Sequence, residues 1–413
     1  IVKKEEDIMK KFNKFLSVAV ASAMVMAMAG CGNTDNGSAA TGTNAATESA
    51  ASSDSAASGS VFKIGGIGPT TGGAAVYGLA VQHGAEIAVE EINAAGGING
   101  YQVEFKFQDD EADAEKSVNA YNALKDWGAQ IIDGSTTSGA CIAVTDKTKE
   151  DNMFQITPSG SAVECVQYDN NFRVCFSDPN QGLASAQYIG ENGLAEKIAV
   201  IYDSSDVYSS GIYEKFAKEA ENQPFEIVAA EAFTADNKTD FSVQLQKAKD
   251  AGADMVFLPI YYQESALILT QAAAMGYAPK WFSCDGMDGI LGGVDNFDVS
   301  LTEGVMLLTP FAADATDDLT QSFVTKYKEK YGETPNQFAA DSYDAIYVIK
   351  AAIEKSGVTP DMSVSDICDG MKAAMTEITV DGLTGSGMTW TADGEANKAP
   401  KAVVIENGAY KAM

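Results

Sequence analysis

Residues 134–161 read GSTTSGACIAVTDKTKEDNMFQITPSGS. A short apolar run, 129–132, precedes this stretch, and a second apolar run, 153–157, lies within it. Each run leads into a turn of small polar residues, which predicts two successive strand–turn–helix units of a parallel sheet. Two helix N-termini would then lie side by side at the carboxyl edge of the sheet, where N–H groups and helix dipoles favour a small anion. The hydroxyls of Ser138 and Ser161 would add donors.

The same alternation of strand and helix continues through most of the chain. Further strands are predicted at 61–67, 102–107, 197–202, 225–230, 255–259 and 280–283, with helical segments between them. At 413 residues the chain exceeds a single core. We therefore predict an α/β fold of two lobes, each a parallel sheet flanked by helices. The N-terminal lobe comprises 61–178 and 310–388, the C-terminal lobe comprises 179–309 and 389–413, and about three crossings form the hinge.

Composition excludes several classes of function. The formal net charge of −30 argues against a nucleic-acid partner, so we predict none. The chain has one histidine, His83, no G-x-S-x-G motif and no cluster of metal ligands, which argues against an enzyme or a metal protein. Gly66 and Gly68 lack the third glycine of a dinucleotide loop, and Pro69 follows them, so no cofactor is expected. The acidic cluster 285–298 lacks the spacing of a calcium loop.

The N-terminus has the features of a bacterial lipoprotein signal. Met9 is a plausible start, and a basic segment after it leads into the apolar run 15–29. The residues before Cys31 resemble a lipobox, so 1–30 is predicted as signal peptide and Cys31 as the lipidated residue; an uncleaved short anchor is the alternative. Residues 31–60 are rich in Ser, Ala and Thr, which is typical of a flexible tether. The protein is therefore expected outside the cytoplasm, anchored to the cell membrane.

Five cysteines remain after Cys31, without a C-x-x-C pair: Cys141, Cys165, Cys175, Cys284 and Cys368. One or two disulfides are compatible with this compartment, and Cys165 lies nearest in sequence to Cys175 and Cys141. Five buried thiols are the equal alternative, and the sequence leaves the pairing open.

Short motifs along the mature chain carry a family resemblance. They include Gly68-Pro69, the run 91–100 (EINAAGGING), Thr157-Pro158, Phe172-Arg173, Asp285-Gly286 and 343–345 (YDA). From about residue 61 to 410, the chain resembles the leucine/isoleucine/valine-binding proteins, type I periplasmic solute-binding proteins of ABC importers. A cysteine that this family often has near Asp109-Asp110 is absent here.

The resemblance implies a ligand site in the cleft between the lobes. It places Ser138, Ser159 and Ser161 at the ligand's α-carboxylate, through hydroxyl or backbone N–H groups. It places Asp285 at the α-ammonium group. Aromatic residues close over the ligand, and the matching positions are Tyr77, Tyr208, Tyr261 and Phe338.

These features predict a monomeric solute-binding protein that carries an amino acid, branched-chain or otherwise apolar, to an ABC permease and its ATPase. An amide, urea or a short peptide is the alternative ligand. A sensory role with a signalling partner is the alternative function.

Overall fold

The computed structural model describes residues 59–413. The predicted signal peptide, Cys31 and almost all of the tether lie outside the described residues. The strands in the described part are β1 (Phe62–Gly68), β2 (Val103–Asp109), β3 (Ile131–Asp133), β4 (Phe154–Thr157), β5 (Asn171–Arg173), β6 (Lys197–Asp203), β7 (Glu226–Phe233), β8 (Met255–Leu258), β9 (Lys280–Ser283), β10 (Met306–Thr309), β11 (Lys401–Glu406) and β12 (Ala409–Ala412). The helices are α1 (Ala75–Ala94), α2 (Ala114–Trp127), α3 (Ser138–Asp151), α4 (Asp178–Glu191), α5 (Val207–Ala220), α6 (Ser242–Asp250), α7 (Tyr262–Ala274), α8 (Asp318–Tyr331), α9 (Gln337–Ser356) and α10 (Val364–Met375).

The strands form two sheets. The first has the order β2-β1-β3-β4-β5, and every neighbouring pair in it is parallel. The second has the order β12-β11-β10-β9-β8-β6-β7, parallel from β7 to β10 and antiparallel at β11 and β12. The predicted α/β fold with two helix-flanked sheets is confirmed, and the antiparallel edge is a hairpin added by the C-terminal tail.

Within residues 59–413, the chain passes three times between the regions of the two sheets. It leaves the first sheet between β5 and α4, and it returns after β10, because α8 and α9 pack against α1. It leaves again between α10, which packs on β4, and β11. The final hairpin turns at Asn407 and Gly408, whose φ angles of 52° and 71° are those of a tight hairpin turn.

Local sequence signals fix several helix ends. Asp113 caps α2 by accepting the N–H of Lys116, and Gly128 ends that helix with a φ of 93°. Asn336 caps α9 through the N–H of Ala339, and Gly357 ends it in the left-handed region. Both helices therefore begin and end where their sequence predicts.

Two helices pack unusually closely. A Cβ atom at Gly84 of α1 would lie 2.0 Å from the carbonyl oxygen of Ala339 in α9. The absence of a side chain at position 84 is what lets the backbones approach, and α9 in turn carries Phe338 towards the site described below.

One local prediction is wrong. Instead of the second helix expected after Ser161, the structure has a four-residue 3₁₀ turn, Val163–Val166. Four residues later the chain enters β5. The pattern also missed β5, α8 and α10.

Candidate functional site

A narrow, largely filled cavity lies where the carboxyl ends of strands from both sheets meet. All eight residues that the sequence predicts as ligand contacts line it: Tyr77, Ser138, Ser159, Ser161, Tyr208, Tyr261, Asp285 and Phe338. Thr136, Thr137 and Gly286 complete the lining. The two threonines belong to the turn that precedes α3. Their position directly before Ser138 in the sequence could have indicated that they also line the site.

The first half of the site is the start of α3. Cys141 N–H makes the first intrahelical hydrogen bond, to Thr137 O at 2.8 Å, so the N–H groups of the first helical turn have no helix partner. The Thr137 hydroxyl is buried and has no partner in the described residues. Ser138 Oγ accepts the N–H groups of Ser161 (3.2 Å) and Ala162 (3.1 Å), so these two amides are already committed. The donors left at this end of the cavity are the hydroxyls of Thr137, Ser138 and Ser161.

The hydroxyl of Ser159 already makes a hydrogen bond within the protein. Its O–H donates to the carbonyl of Thr136 at 2.6 Å, so that hydrogen is already committed. The oxygen and the backbone remain at the cavity wall.

A buried guanidinium takes the place of the missing second helix. Arg173, 0 % exposed, donates to four successive carbonyl oxygens, those of Gly160 (3.3 Å), Ser161 (2.5 Å), Ala162 (2.9 Å) and Val163 (3.3 Å). In an α-helix these carbonyls would accept N–H groups four residues further on, so their capture by Arg173 explains why no helix forms. The amides of the same loop point away from the guanidinium, towards Ser138.

The positive charge at this end therefore comes partly from a side chain. The predicted second helix dipole is replaced by Arg173, whose Nε also lies 3.4 Å from a Glu395 carboxylate oxygen. The Phe172-Arg173 motif was noticed in the sequence, but nothing there assigned the arginine to the loop.

Asp285 forms the opposite half of the site. Its Oδ1 accepts the hydroxyl of Tyr208 at 2.6 Å, and its Oδ2 accepts Gln181 Nε2 at 2.9 Å. Burial raises the pKa of Asp285 to about 7, and the hydrogen bonds from Tyr208 and Gln181 act in the opposite direction. An acid so held would gain a large stabilisation of its charged form from a cation placed in the cavity.

Aromatic rings enclose the space between these two ends. The rings of Tyr77 and Phe338 lie 4.3 Å apart, and those of Tyr208 and Tyr261 stack at 5.0 Å. Tyr77 Oη donates to the carbonyl of Gly286 at 2.5 Å. The walls are thus apolar, with polar tips engaged in hydrogen bonds.

The cysteines do not take part in the site. All five in the described residues are free and buried, so the buried-thiol alternative is the one that the structure contains. Neither Cys141 nor Cys284 is among the residues that line the cavity. His83 stacks on Tyr331 at 3.7 Å, away from the site. Within residues 59–413, no group of His, Cys, Asp and Glu has the arrangement of a metal site.

Residues 61–409 match the family model described as periplasmic binding protein. The chain belongs to the periplasmic binding protein family. A Leu/Ile/Val-binding protein homologue of Brucella melitensis is 31 % identical over 300 residues, covering 72 % of this chain and 80 % of the relative. A leucine-, isoleucine-, valine-, threonine- and alanine-binding protein of Pseudomonas aeruginosa is 30 % identical over 302 residues, covering 71 % and 78 %.

Solved structures support the assignment of this chain to the periplasmic binding protein family. The leucine-binding protein LivK of Thermotoga maritima superimposes with a TM-score of 0.75 at 28 % identity, covering 86 % of this chain and 98 % of its own. LivJ of Streptococcus pneumoniae in complex with isoleucine gives 0.77 at 29 %, covering 86 % and 99 %. The predicted family resemblance is confirmed. In the part of this chain that the structure describes, no helix is both long and apolar enough to cross a bilayer.

Proposed function

We propose that this periplasmic binding protein captures an amino acid with an apolar, branched side chain and delivers it to an ABC permease. One observation carries the proposal: a donor-rich end around Ser138 and a carboxylate, Asp285, face each other across one cavity. A zwitterion needs donors at one pole and an acid at the other. Part of the binding free energy is then used to close the lobes around the ligand.

The magnitudes are sufficient for useful affinity. Each hydrogen bond to a charged group contributes about 1.5–3 kcal/mol, so three or four of them approach the roughly 8 kcal/mol of micromolar binding once ordering costs are subtracted. The close aromatic walls favour a single apolar amino acid over a short peptide. The relatives named for leucine, isoleucine and valine support the same ligand class.

An acid at one pole distinguishes this proposal from capture of a simple carboxylate. A Rhodopseudomonas palustris solute-binding protein of the same fold, 19 % identical, was solved with benzoate, a ligand without an ammonium group. Asp285 would have no partner in such a ligand, so urea, amides and plain carboxylates are less favoured than an amino acid.

Two further parts of the proposal concern the cell. We propose that 61–178 with 310–388 and 179–309 with 389–413 act as two lobes that close on the ligand in a monomer without turnover. Cys31 is proposed to carry the lipid anchor. Labelling of the cells with a fatty-acid analogue should mark the wild type, and Cys31→Ser should lose the label while the folded part still binds ligand.

The central test is titration calorimetry with each common amino acid, preceded by mass spectrometry of any ligand that co-purifies. We expect leucine, isoleucine or valine to bind, and Ser138→Ala and Asp285→Ala to weaken binding at least about tenfold. Ser322→Ala and Asp126→Ala, at exposed helical positions outside the cavity, are the matched controls and should bind as the wild type does. Absence of binding to every amino acid would overturn the proposal.

A further inference from the structure

Gln181, in the first turn of α4, contacts Asp285 twice although 104 residues separate them in sequence. Its Nε2 donates to Asp285 Oδ2 at 2.9 Å, and its Oε1 accepts the backbone N–H of Asp285 at 3.3 Å. The side chain is only 4 % exposed. Both polar atoms of the Gln181 amide therefore bond to the same residue. Together they hold the Asp285 carboxylate and the backbone that carries it.

The other carboxylate oxygen is held from the neighbouring helix. Tyr208 of α5 donates to Asp285 Oδ1, and α4 and α5 pack directly against each other. A carboxylate oxygen can accept two hydrogen bonds, so each oxygen keeps acceptor capacity, and Asp285 lines the cavity. The pair of donors thus defines the plane of the carboxylate and leaves its remaining acceptor positions for a ligand.

We propose that Gln181 is a positioning residue that holds Asp285 for the ligand's ammonium group and thereby sets the preference for amino acids over plain carboxylates. This inference rests on the proposed function. Gln181 is not among the residues that line the cavity, so it acts through Asp285 and not by touching the ligand. A buried amide that served packing alone would have no reason to bond the side chain and backbone of the same acid.

The experiment compares leucine with isocaproate, which is leucine without its ammonium group. Gln181→Met removes both contacts, and Gln181→Glu keeps the shape but replaces the donating amide with an acceptor. We expect both variants to bind leucine about ten- to a hundredfold more weakly, with isocaproate affinity changed less than about threefold. Gln187→Met, in the same helix at a half-buried contact with Glu219, is the matched control and should change neither affinity.

A double-mutant cycle with Asp285→Ala tests the route of the effect. If Gln181 acts through Asp285, Gln181→Met should change leucine affinity less than about twofold in the Asp285→Ala background. Unfolding midpoints of all variants show whether a loss reflects misfolding, and the Gln181→Glu variant keeps the test valid if the methionine variant is unstable.

The outcomes separate this inference from the function on which it rests. An equal loss for leucine and isocaproate, or full additivity in the cycle, would assign Gln181 a structural role and overturn the inference. Leucine binding by the wild type with no change in either Gln181 variant would overturn it alone. Failure of the wild type to bind any amino acid would overturn the proposed function and this inference with it.

Discussion

Asp285 is the residue that, in the proposed function, faces the ligand's ammonium group. Its pKa is raised to about 7 by burial, so near neutral pH the carboxyl is only partly charged in the absence of ligand. Other acids surround it: burial raises the pKa of Asp341 to about 6 and of Asp178 well above its usual range. The tyrosines beside it, Tyr77 and Tyr208, stay protonated because burial raises their pKa values as well.

We therefore predict that leucine affinity rises as the pH increases from about 5 to about 8. Below the pKa of Asp285 the neutral acid does not pair with the ammonium group, and above it the carboxylate does. Binding at about pH 6 should also release a proton, because the cation lowers the pKa of Asp285. Calorimetry in buffers of different ionisation enthalpy measures both effects.

Asp285→Asn is the control for this prediction. It should bind more weakly and lose most of the pH dependence, since Asn does not titrate. A pH profile that survives unchanged in Asp285→Asn would place the titration on Asp178 or Asp341.

Residues at strand ends were predictable from sequence, and residues that act through them were not. Ser138 and Asp285 each follow a short apolar strand, and parallel strands present their carboxyl ends at one edge. Gln181 reaches Asp285 because α4 packs against α5 beside the second sheet, near the end of β9. No local pattern contains that information, so the sequence offered no signal for this contact.

At the scale of elements, the loop 158–163 shows why the second helix was wrongly predicted. Small residues after a strand are typical of a helix start, and the pattern was correct for α3. In the second case the carbonyls are taken by a guanidinium that lies ten residues beyond the loop, in β5. Tertiary contacts of this kind override local propensity.

Arg173→Met should destabilise the protein strongly. The change removes the guanidinium from four loop carbonyls, of which Ser161 O and Ala162 O keep a backbone N–H donor, and it leaves the partly exposed Glu395 without its partner. Each buried acceptor left without a donor costs about 1–3 kcal/mol. The free energy of unfolding in urea gives the measurement. Lys147→Ala removes an exposed pair with Glu150 and should change it by less than about 1 kcal/mol. Similar losses in the two variants would contradict the role assigned to Arg173.

The contact between α1 and α9 gives a second prediction at this scale. Gly84→Ala should cost about 1–3 kcal/mol of stability, because the new methyl group would lie 2.0 Å from a backbone carbonyl oxygen and the helices would have to separate. Gly139→Ala, in the first turn of α3 with nothing within 4 Å of its Cβ position, should raise stability by up to about 1 kcal/mol. Thermal unfolding of both variants measures the two changes in stability. Changes of the same sign would contradict the packing argument.

At the scale of the whole molecule, the Tyr77 hydroxyl links the two sheet regions across the cavity. Tyr77 belongs to α1 beside the first sheet, and its hydroxyl donates to Gly286 O (2.5 Å) and accepts Tyr262 N–H (3.2 Å) in segments that follow strands of the second sheet. If the lobes close on the ligand, these two hydrogen bonds of the Tyr77 hydroxyl form only in the closed state.

We predict that Tyr77→Phe accelerates leucine dissociation about tenfold while association changes little, since differences among related complexes reside mostly in dissociation. The ring contact with Phe338 at 4.3 Å is kept, so the loss reports the hydroxyl alone. Stopped-flow fluorescence measures both rates, and X-ray scattering should show a smaller decrease in radius of gyration on leucine binding than for the wild type.

Tyr121→Phe, which removes a buried hydroxyl bonded to Asp151 outside the cavity, is the matched control. Equal dissociation rates for wild type and Tyr77→Phe would mean that closure does not depend on this contact.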